Sequence, residues 1–400
     1  MPAESASPRS EASGCPLGPP AFAARHAGAA LAPITLPSGD RVRAVARHED
    51  IRLVMSHSAA SRDLRYEGAP RLTVGLSIES DPSALLNMDA PEHTRLRRIL
   101  SGTFTPRRIE TWRPRVREIA VELADGLDER CELVEDFAFP LPSRVICELL
   151  GVPEEDFPRF RHWTERFLSA SDASADDRIT AVTEFTGYAA ELVAAHRAAP
   201  SGDLIDVLVA ARDQDDRLSE PELVRLVFGL ILAGHETTAG QISRGVLRLL
   251  DHPEHWESLV ADPGLVAAAV EETLRYEGPG GEGMLRRMTE KVELSEGTIE
   301  AGEAVLLLLG AGNFDPAAYP EPERFDVGRF ADGTAAAHLG FGHGPHYCLG
   351  ANLARMELQE AFRALVTRVP GLRLAVPPDE VAWLADALIH RPIALPMRVQ

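Results

Sequence analysis

The stretch Phe341-Gly342-His343-Gly344-Pro345-His346-Tyr347-Cys348-Leu349-Gly350 decides how the rest of this 400-residue chain is read. Its glycines let the backbone turn tightly and approach a flat partner closely. After Cys348 a helical period runs from about Leu349 to Val369. Leu353, Met356, Phe362, Leu365 and Val366 form an apolar stripe opposite arginines and glutamates. A helix starting there aims its N-terminal amides at the sulfur and favours thiolate over thiol, the form that binds metal. Two other readings of Cys348 stand beside this one. It can be a buried core thiol, the usual state of a lone cysteine. With His343 and His346 it can also form part of a zinc site, although no nearby residue plainly supplies a fourth ligand. The other cysteines, Cys15, Cys131 and Cys147, are widely spaced, with no C-x-x-C pair and no pattern of a disulfide framework.

Upstream lies a second informative segment. Ser219 can cap a helix with Glu222 completing a capping box, and no proline follows Pro221 until Pro253. That predicts a helix of about thirty residues, roughly 45 Å long. Its middle, LVFGLILAGHETTAG (Leu226–Gly240), carries apolar residues on every face, the pattern of a buried central helix. Glu236 in such a helix requires a partner, because an unpaired buried carboxylate is costly. Helical periodicity dominates from about residue 90 to 280. Strand signals are confined to short pieces such as Val292–Leu294, Val305–Leu309 and Ile393–Val399. The expected fold class is mainly α with small β-sheets, organised as a disordered tail over 1–20 and a single domain over 21–400.

With these pieces in place, the spacing F-x-x-G-x-x-x-C-x-G around Cys348 resembles the cysteine loop of the cytochromes P450. Three further segments match that family in order, and the similarity covers about residues 85 to 370. Ala233-Gly234-His235-Glu236-Thr237-Thr238 is similar to its oxygen-activating motif. Glu272-Thr273-Leu274-Arg275 resembles its E-x-x-R motif. Asp89-Ala90-Pro91-Glu92-His93-Thr94-Arg95-Leu96-Arg97-Arg98 resembles the helix that holds haem propionates in bacterial members. Departures are small: Gly240 stands where a larger polar residue often follows the threonine motif, and Asn313-Phe314-Asp315-Pro316 has Phe for Arg.

The resemblance implies a P450 fold with a long central helix over a haem b whose iron takes Cys348 as axial ligand. It implies that His93, Arg97, Arg286 and His346 hold the propionates, with Arg287 as the alternative to Arg286 because the doubled arginine leaves the register open by one. Arginine and histidine at fixed helical spacing suit bare carboxylates at the edge of an apolar disc. Thr237 would hold dioxygen by a hydrogen bond and Glu236 would relay protons, as catalytic residues, with Gly234 leaving room for the oxygen. Glu272, Arg275 and Arg324 would form a structural triad behind the cysteine loop. Substrate contacts are expected at Val74, Phe167, Ala233, Met284 and Ile389.

Composition narrows the function further. There are 41 basic and 61 acidic residues, a formal charge of −20, which repels nucleic acid and anionic lipid. No apolar run reaches the length of a membrane span, and the first twenty residues lack the pattern of a signal peptide. A soluble, cytoplasmic monomer is expected. No flavin or nicotinamide motif is present, so electrons would come from a separate ferredoxin and ferredoxin reductase. Eight arginines between Arg95 and Arg117 (Arg95, Arg97, Arg98, Arg107, Arg108, Arg113, Arg115 and Arg117), against one acid before Glu118, offer such a partner a docking surface. The expected reaction is insertion of one oxygen atom into a small molecule, with a secondary metabolite such as a macrolide, another polyketide or a cyclic peptide as the substrate class. The alternatives are haem-thiolate coupling, forming a C–C or C–N bond on a cyclic peptide or aromatic substrate without oxygen insertion, and, least favoured, a non-haem metal or binding protein.

Overall fold

The computed structural model describes residues 31–72, 81–168, 174–214, 217–278, 283–384 and 390–399. The expected tail, Val74 and Ile389 lie outside these residues. Two compact units are built from interleaved pieces of chain. One takes residues up to Ser80, Arg244–Ala351 and Pro377–Val381; the other takes Asp81–Ser243, Asn352–Val376 and Ala382–Gln400.

The first unit carries a five-stranded sheet in the order Ala32–Thr35, Arg41–Val45, Ala304–Leu307, Met284–Met288, Ala60–Ser61. Arg41–Val45 and Ala304–Leu307 run parallel, and the other pairings are antiparallel. Val45, Met288, Val305 and Leu307 send side chains into one cluster with Ile51, Val54 and Met55 of the helix His48–Ser56. Strand Met284–Met288 was not foreseen, because its doubled arginine hides the alternation that marks a half-buried strand. Its register begins at Met284, just after Gly283, where φ is +119° and any side chain would collide with the Leu307 carbonyl.

The second unit is a stack of helices with a three-stranded sheet formed by Arg130–Glu132, Pro396–Val399 and Leu372–Leu374. Pairing starts at Pro396, later than the expected Ile393. The main helices of this unit are α1 (Glu92–Ser101), most of α2 (Glu220–Asp251) and α4 (Ala351–Arg368), while α3 (Val266–Tyr276) belongs to the first unit. The foreseen capping box opens α2. The Glu222 carboxylate accepts from the Ser219 amide at 2.7 Å, and the Glu222 amide donates back to Ser219 Oγ at 3.4 Å. Thirty-two residues follow before the helix ends short of Pro253. Helix α4 is tied to the helix Arg113–Asp125 through buried Glu360. Burial alone would raise its carboxyl pKa, but hydrogen bonds from Arg117 and Arg113, at 2.8 and 2.7 Å, win and lower it.

Gly234 has a different use from the one expected of it. A Cβ there would lie 2.7 Å from Ile146 Cδ1, so the missing side chain lets the helix Pro140–Leu150 cross α2 closely. The space it makes is filled by Ile146.

Candidate functional site

In the first unit the Cys348 loop is shaped by left-handed glycines. Gly342 has φ of +72° and Gly344 of +69°, and a side chain on Gly344 would collide with the Met55 carbonyl. A 3-10 turn spans Gly344–His346, the Cys348 amide donates to the Phe341 carbonyl at 2.9 Å, and α4 begins at Ala351. The thiol of Cys348 is exposed, whereas Cys147 is buried. Burial pushes Cys147 up to about 12, and burial reinforced by Asp136 pushes Cys131 up to about 11, so both remain thiols at neutral pH. Among the described residues, the one group of three ligand-type side chains whose donor atoms lie within 4.8 Å of one another is His196, Asp203 and Asp206. His343, His346 and Cys348 do not converge, which removes the zinc reading. Asp203 is occupied as the N-cap of Leu204–Asp213.

Behind this loop, Glu272 and Arg275 on α3 form the foreseen pair, both side chains fully buried, with two parallel hydrogen bonds of 2.7 and 2.8 Å. Arg275 also donates to the carbonyls of Asn313 and Pro322, at 2.8 and 2.9 Å, and its guanidinium lies against Tyr276, Phe314 and Tyr319. The third arginine is not Arg324. That side chain is exposed beside Glu321, and only its backbone carbonyl reaches Arg275. Arg329 donates to Glu272 instead. The dipeptides Arg324-Phe325 and Arg329-Phe330 look alike in sequence, and nothing local separates a loop arginine that turns inward from one that does not.

The two candidate propionate arginines are separated by the pleat. Arg286 is buried and donates to the Leu285 carbonyl at 2.9 Å, while Arg287 lies 4.2 Å from the ring centre of Tyr66. Met284, at the start of that strand, is partly exposed, as is His346.

In the second unit α1 brings His93 and Arg97 to one face, as their i, i+4 spacing requires. His93 is buried. Burial lowers its pKa first, and the charge of Arg97 lowers it further.

Helix α2 shows the most telling pattern. Across residues 222–250 only Ala233 and Thr237 are exposed, one turn apart on the same face. Thr237 Oγ1 donates to the Ala233 carbonyl at 2.8 Å. Glu236, on the adjoining face, is buried, and its required partner is Arg391, whose Nε donates to Oε1 at 2.7 Å. Sequence reasoning missed Arg391, which lies 155 residues away in a segment with no motif. Of the substrate residues foreseen, only Ala233 and Met284 have described side chains.

The arginine-rich stretch is largely spoken for. Arg95 pairs with Glu222, Arg113 with Glu110 and Glu360, Arg115 with Glu118 and Glu148, and Arg117 with Glu360. Arg98, Arg107 and Arg108 stand exposed outside these ion pairs.

Comparisons with known proteins agree with this arrangement. The family model described as Cytochrome P450 matches residues 172–370. Over 368 residues the chain is 43% identical to the mycinamicin IV hydroxylase/epoxidase of Micromonospora griseorubida, covering 90% of each sequence. The chain belongs to the cytochrome P450 family. This P450 is also 41% identical over 371 residues to nocardicin C N-oxygenase of Nocardia uniformis subsp. tsuyamanensis, covering 91% of each. The crystal structure of the LnmA cytochrome P450 hydroxylase from the leinamycin biosynthetic pathway of Streptomyces atroolivaceus S-140 matches it with a TM-score of 0.86. There the identity is 42%, with 94% of this chain and 95% of that one covered. The P450 fold and monooxygenase class follow, and with them a haem-thiolate cofactor. The residues present fit that group: an exposed cysteine before a helix, donors suited to carboxylates, and an open helix face formed by Ala233 and the hydroxyl-bearing Thr237. Among the described residues, no helix is long and apolar enough to cross a membrane.

Proposed function

We propose that this P450 inserts one oxygen atom from dioxygen into a secondary-metabolite scaffold such as a macrolide, another polyketide or a cyclic peptide, residues 21–400 acting as one catalytic domain. The cofactor is haem b, with Cys348 as its thiolate ligand and His93, Arg97, Arg286 and His346 as donors to its propionates. When bound, a thiolate-held haem activates dioxygen and favours cleavage of the O–O bond.

The observation that carries this reading is the pairing on α2 of an exposed hydroxyl with a buried, ion-paired acid. Thr237 presents its hydroxyl oxygen as an acceptor on the open face, its proton being donated to the Ala233 carbonyl, and Glu236 beside it hands protons inward. Oxygen insertion consumes protons at that point, so an intact acid and alcohol favour it over coupling chemistry. Ala233, one turn away, and Met284 are assigned to the substrate. The substrate class is supported by the relatives, which are named for mycinamicin IV and nocardicin C.

Electrons are assigned to a separate ferredoxin and its reductase, docking at the exposed Arg98, Arg107 and Arg108, with the chain a cytoplasmic monomer. The deciding experiment has two arms. The dithionite-reduced protein treated with carbon monoxide should give the red-shifted Soret band of a thiolate-bound haem, lost in Cys348→Ser. Turnover of a macrolide panel under labelled dioxygen should place one labelled atom in each product molecule. An unlabelled, bond-coupled product would replace this reading with oxidative coupling.

A further inference from the structure

The buried ion pair at Glu236 extends beyond its two members. Arg391, on the short strand Arg391–Pro392 that pairs with Trp383–Leu384, ties Oε1 of Glu236 through Nε, and its Nη1 donates to the Pro392 carbonyl at 3.0 Å. Its guanidinium lies 4.6 Å from the ring centre of Phe139, itself fully buried. The same ring takes the guanidinium of Arg161 at 4.5 Å. Arg161 in turn grips Glu135 through both terminal nitrogens, at 2.5 and 2.6 Å. Glu135 is half exposed. Its carboxyl pKa is lowered, chiefly by the Arg161 hydrogen bond, with Arg391 contributing through its charge. Glutamate, arginine, aromatic ring, arginine and glutamate therefore follow one another from the protein surface to the acid inside α2.

We infer that Arg391 is the positioning residue of Glu236: it holds the acid ionised and aimed, and it is itself held by Phe139 and the Arg161–Glu135 pair. This rests on the reading of Glu236 as the residue that hands on protons. The physical reason is specific to arginine. A carboxylate with 3% side-chain exposure survives ionised only beside a cation and hydrogen-bond donors. Holding it in one rotamer needs a partner whose own orientation is fixed. The guanidinium meets both needs, because its planar face stacks on an aromatic ring while its edge donates in the plane. Lysine supplies the charge without the stacking or the fork. Arg391 lies far in sequence from both Cys348 and Thr237, and the hydrogen bond that ties it to this helix goes to Glu236, so its effect on turnover would pass through Glu236.

The test uses the haem-loaded protein and compares Arg391→Met, Arg391→Lys, Glu236→Gln and the Arg391→Met/Glu236→Gln double variant. Two readouts are taken: thermal unfolding, and the fraction of consumed electrons recovered as product rather than peroxide. Dioxygen that gains two electrons and two protons without O–O cleavage leaves as hydrogen peroxide, so peroxide yield reports misdirected protons. The expected result is several-fold more peroxide per product in Arg391→Met, a partial return in Arg391→Lys, little change in substrate KM, and non-additive loss of melting temperature in the double variant. If Glu236→Gln uncouples turnover while both Arg391 variants remain coupled like wild type, the inference fails and the reading of Glu236 stands. If Glu236→Gln also stays fully coupled, the reading itself fails and takes the inference with it. Additive melting shifts would overturn the inference independently of turnover. Should Arg391→Met not fold, Arg391→Lys decides, and a wild-type peroxide yield in it overturns the assignment.

Discussion

Arg329 Nε donates to Oε1 of Glu272 at 3.2 Å, and the same guanidinium reaches the carbonyls of Pro320, Glu321 and Arg324. One side chain thus closes the buried E-x-x-R pair and staples the loop that follows it. Removing it leaves a carboxylate in the core with fewer donors and takes a donor from three loop carbonyls, of which those of Glu321 and Arg324 keep the Arg324 amide and Arg275. Arg329→Ala should cost about 2–4 kcal/mol and lower haem retention, whereas Arg324→Ala, on an exposed side chain, should stay within about 0.5 kcal/mol of wild type. Urea denaturation of both variants with haem occupancy measured alongside checks this. Equal effects would return Arg324 to the triad.

Glu357 on α4 is buried, and desolvation raises its pKa well above 4.5. The folded state therefore keeps a proton that the unfolded chain gives up near the ordinary carboxyl pKa. Stability should fall as pH rises from there toward the folded pKa, by about 1.4 kcal/mol per pH unit within that window. Glu357→Gln removes the titrating group, so its stability relative to wild type should climb between pH 5 and 8. Parallel denaturation curves across that range would show that Glu357 ionises normally.

At the crossing of α2, Gly234→Ala would press a methyl group against Ile146. The side chain it meets is flexible at its tip, so the cost should be about 1–3 kcal/mol rather than loss of the fold. Ile146→Ala in the same chain should recover most of it by vacating the space. If the double variant is less stable than either single one, the glycine serves something other than helix approach.

Charge reversal tests the docking surface. Arg107→Glu with Arg108→Glu should slow reduction by ferredoxin about tenfold at low ionic strength, with the difference shrinking as salt is added. Reversing Arg115, already engaged by Glu118 and Glu148, should matter much less. Stopped-flow reduction rates separate the two, and equal rates for Arg107/Arg108 variant and wild type would place the partner elsewhere.

What was legible in the sequence was what local spacing encodes. The capping box of Ser219 and Glu222, the uninterrupted run to Pro253, the i, i+3 pair of Glu272 and Arg275, and the i, i+4 pair of His93 and Arg97 all depend on helical periodicity, and all are present. What was not legible depends on residues far apart in the chain. Arg391 meets Glu236, Arg329 meets Glu272 and Ile146 meets Gly234 only through tertiary packing. The strand Met284–Met288 was obscured for another reason: two adjacent arginines mask a period of two, and only their burial shows that one points inward.

That strand also bears on how such a protein can change. Because successive residues face opposite ways, a slip of one position would exchange Arg286 for Arg287 without altering composition. Gly283 forbids the slip, since its backbone conformation and its closeness to the Leu307 carbonyl fix where pairing begins. Chain added or lost on the N-terminal side of Gly283 therefore leaves the aim of Arg286 untouched. Evolution, or a protein engineer, is free to change the residues before Gly283 while Arg286 keeps its place in the strand.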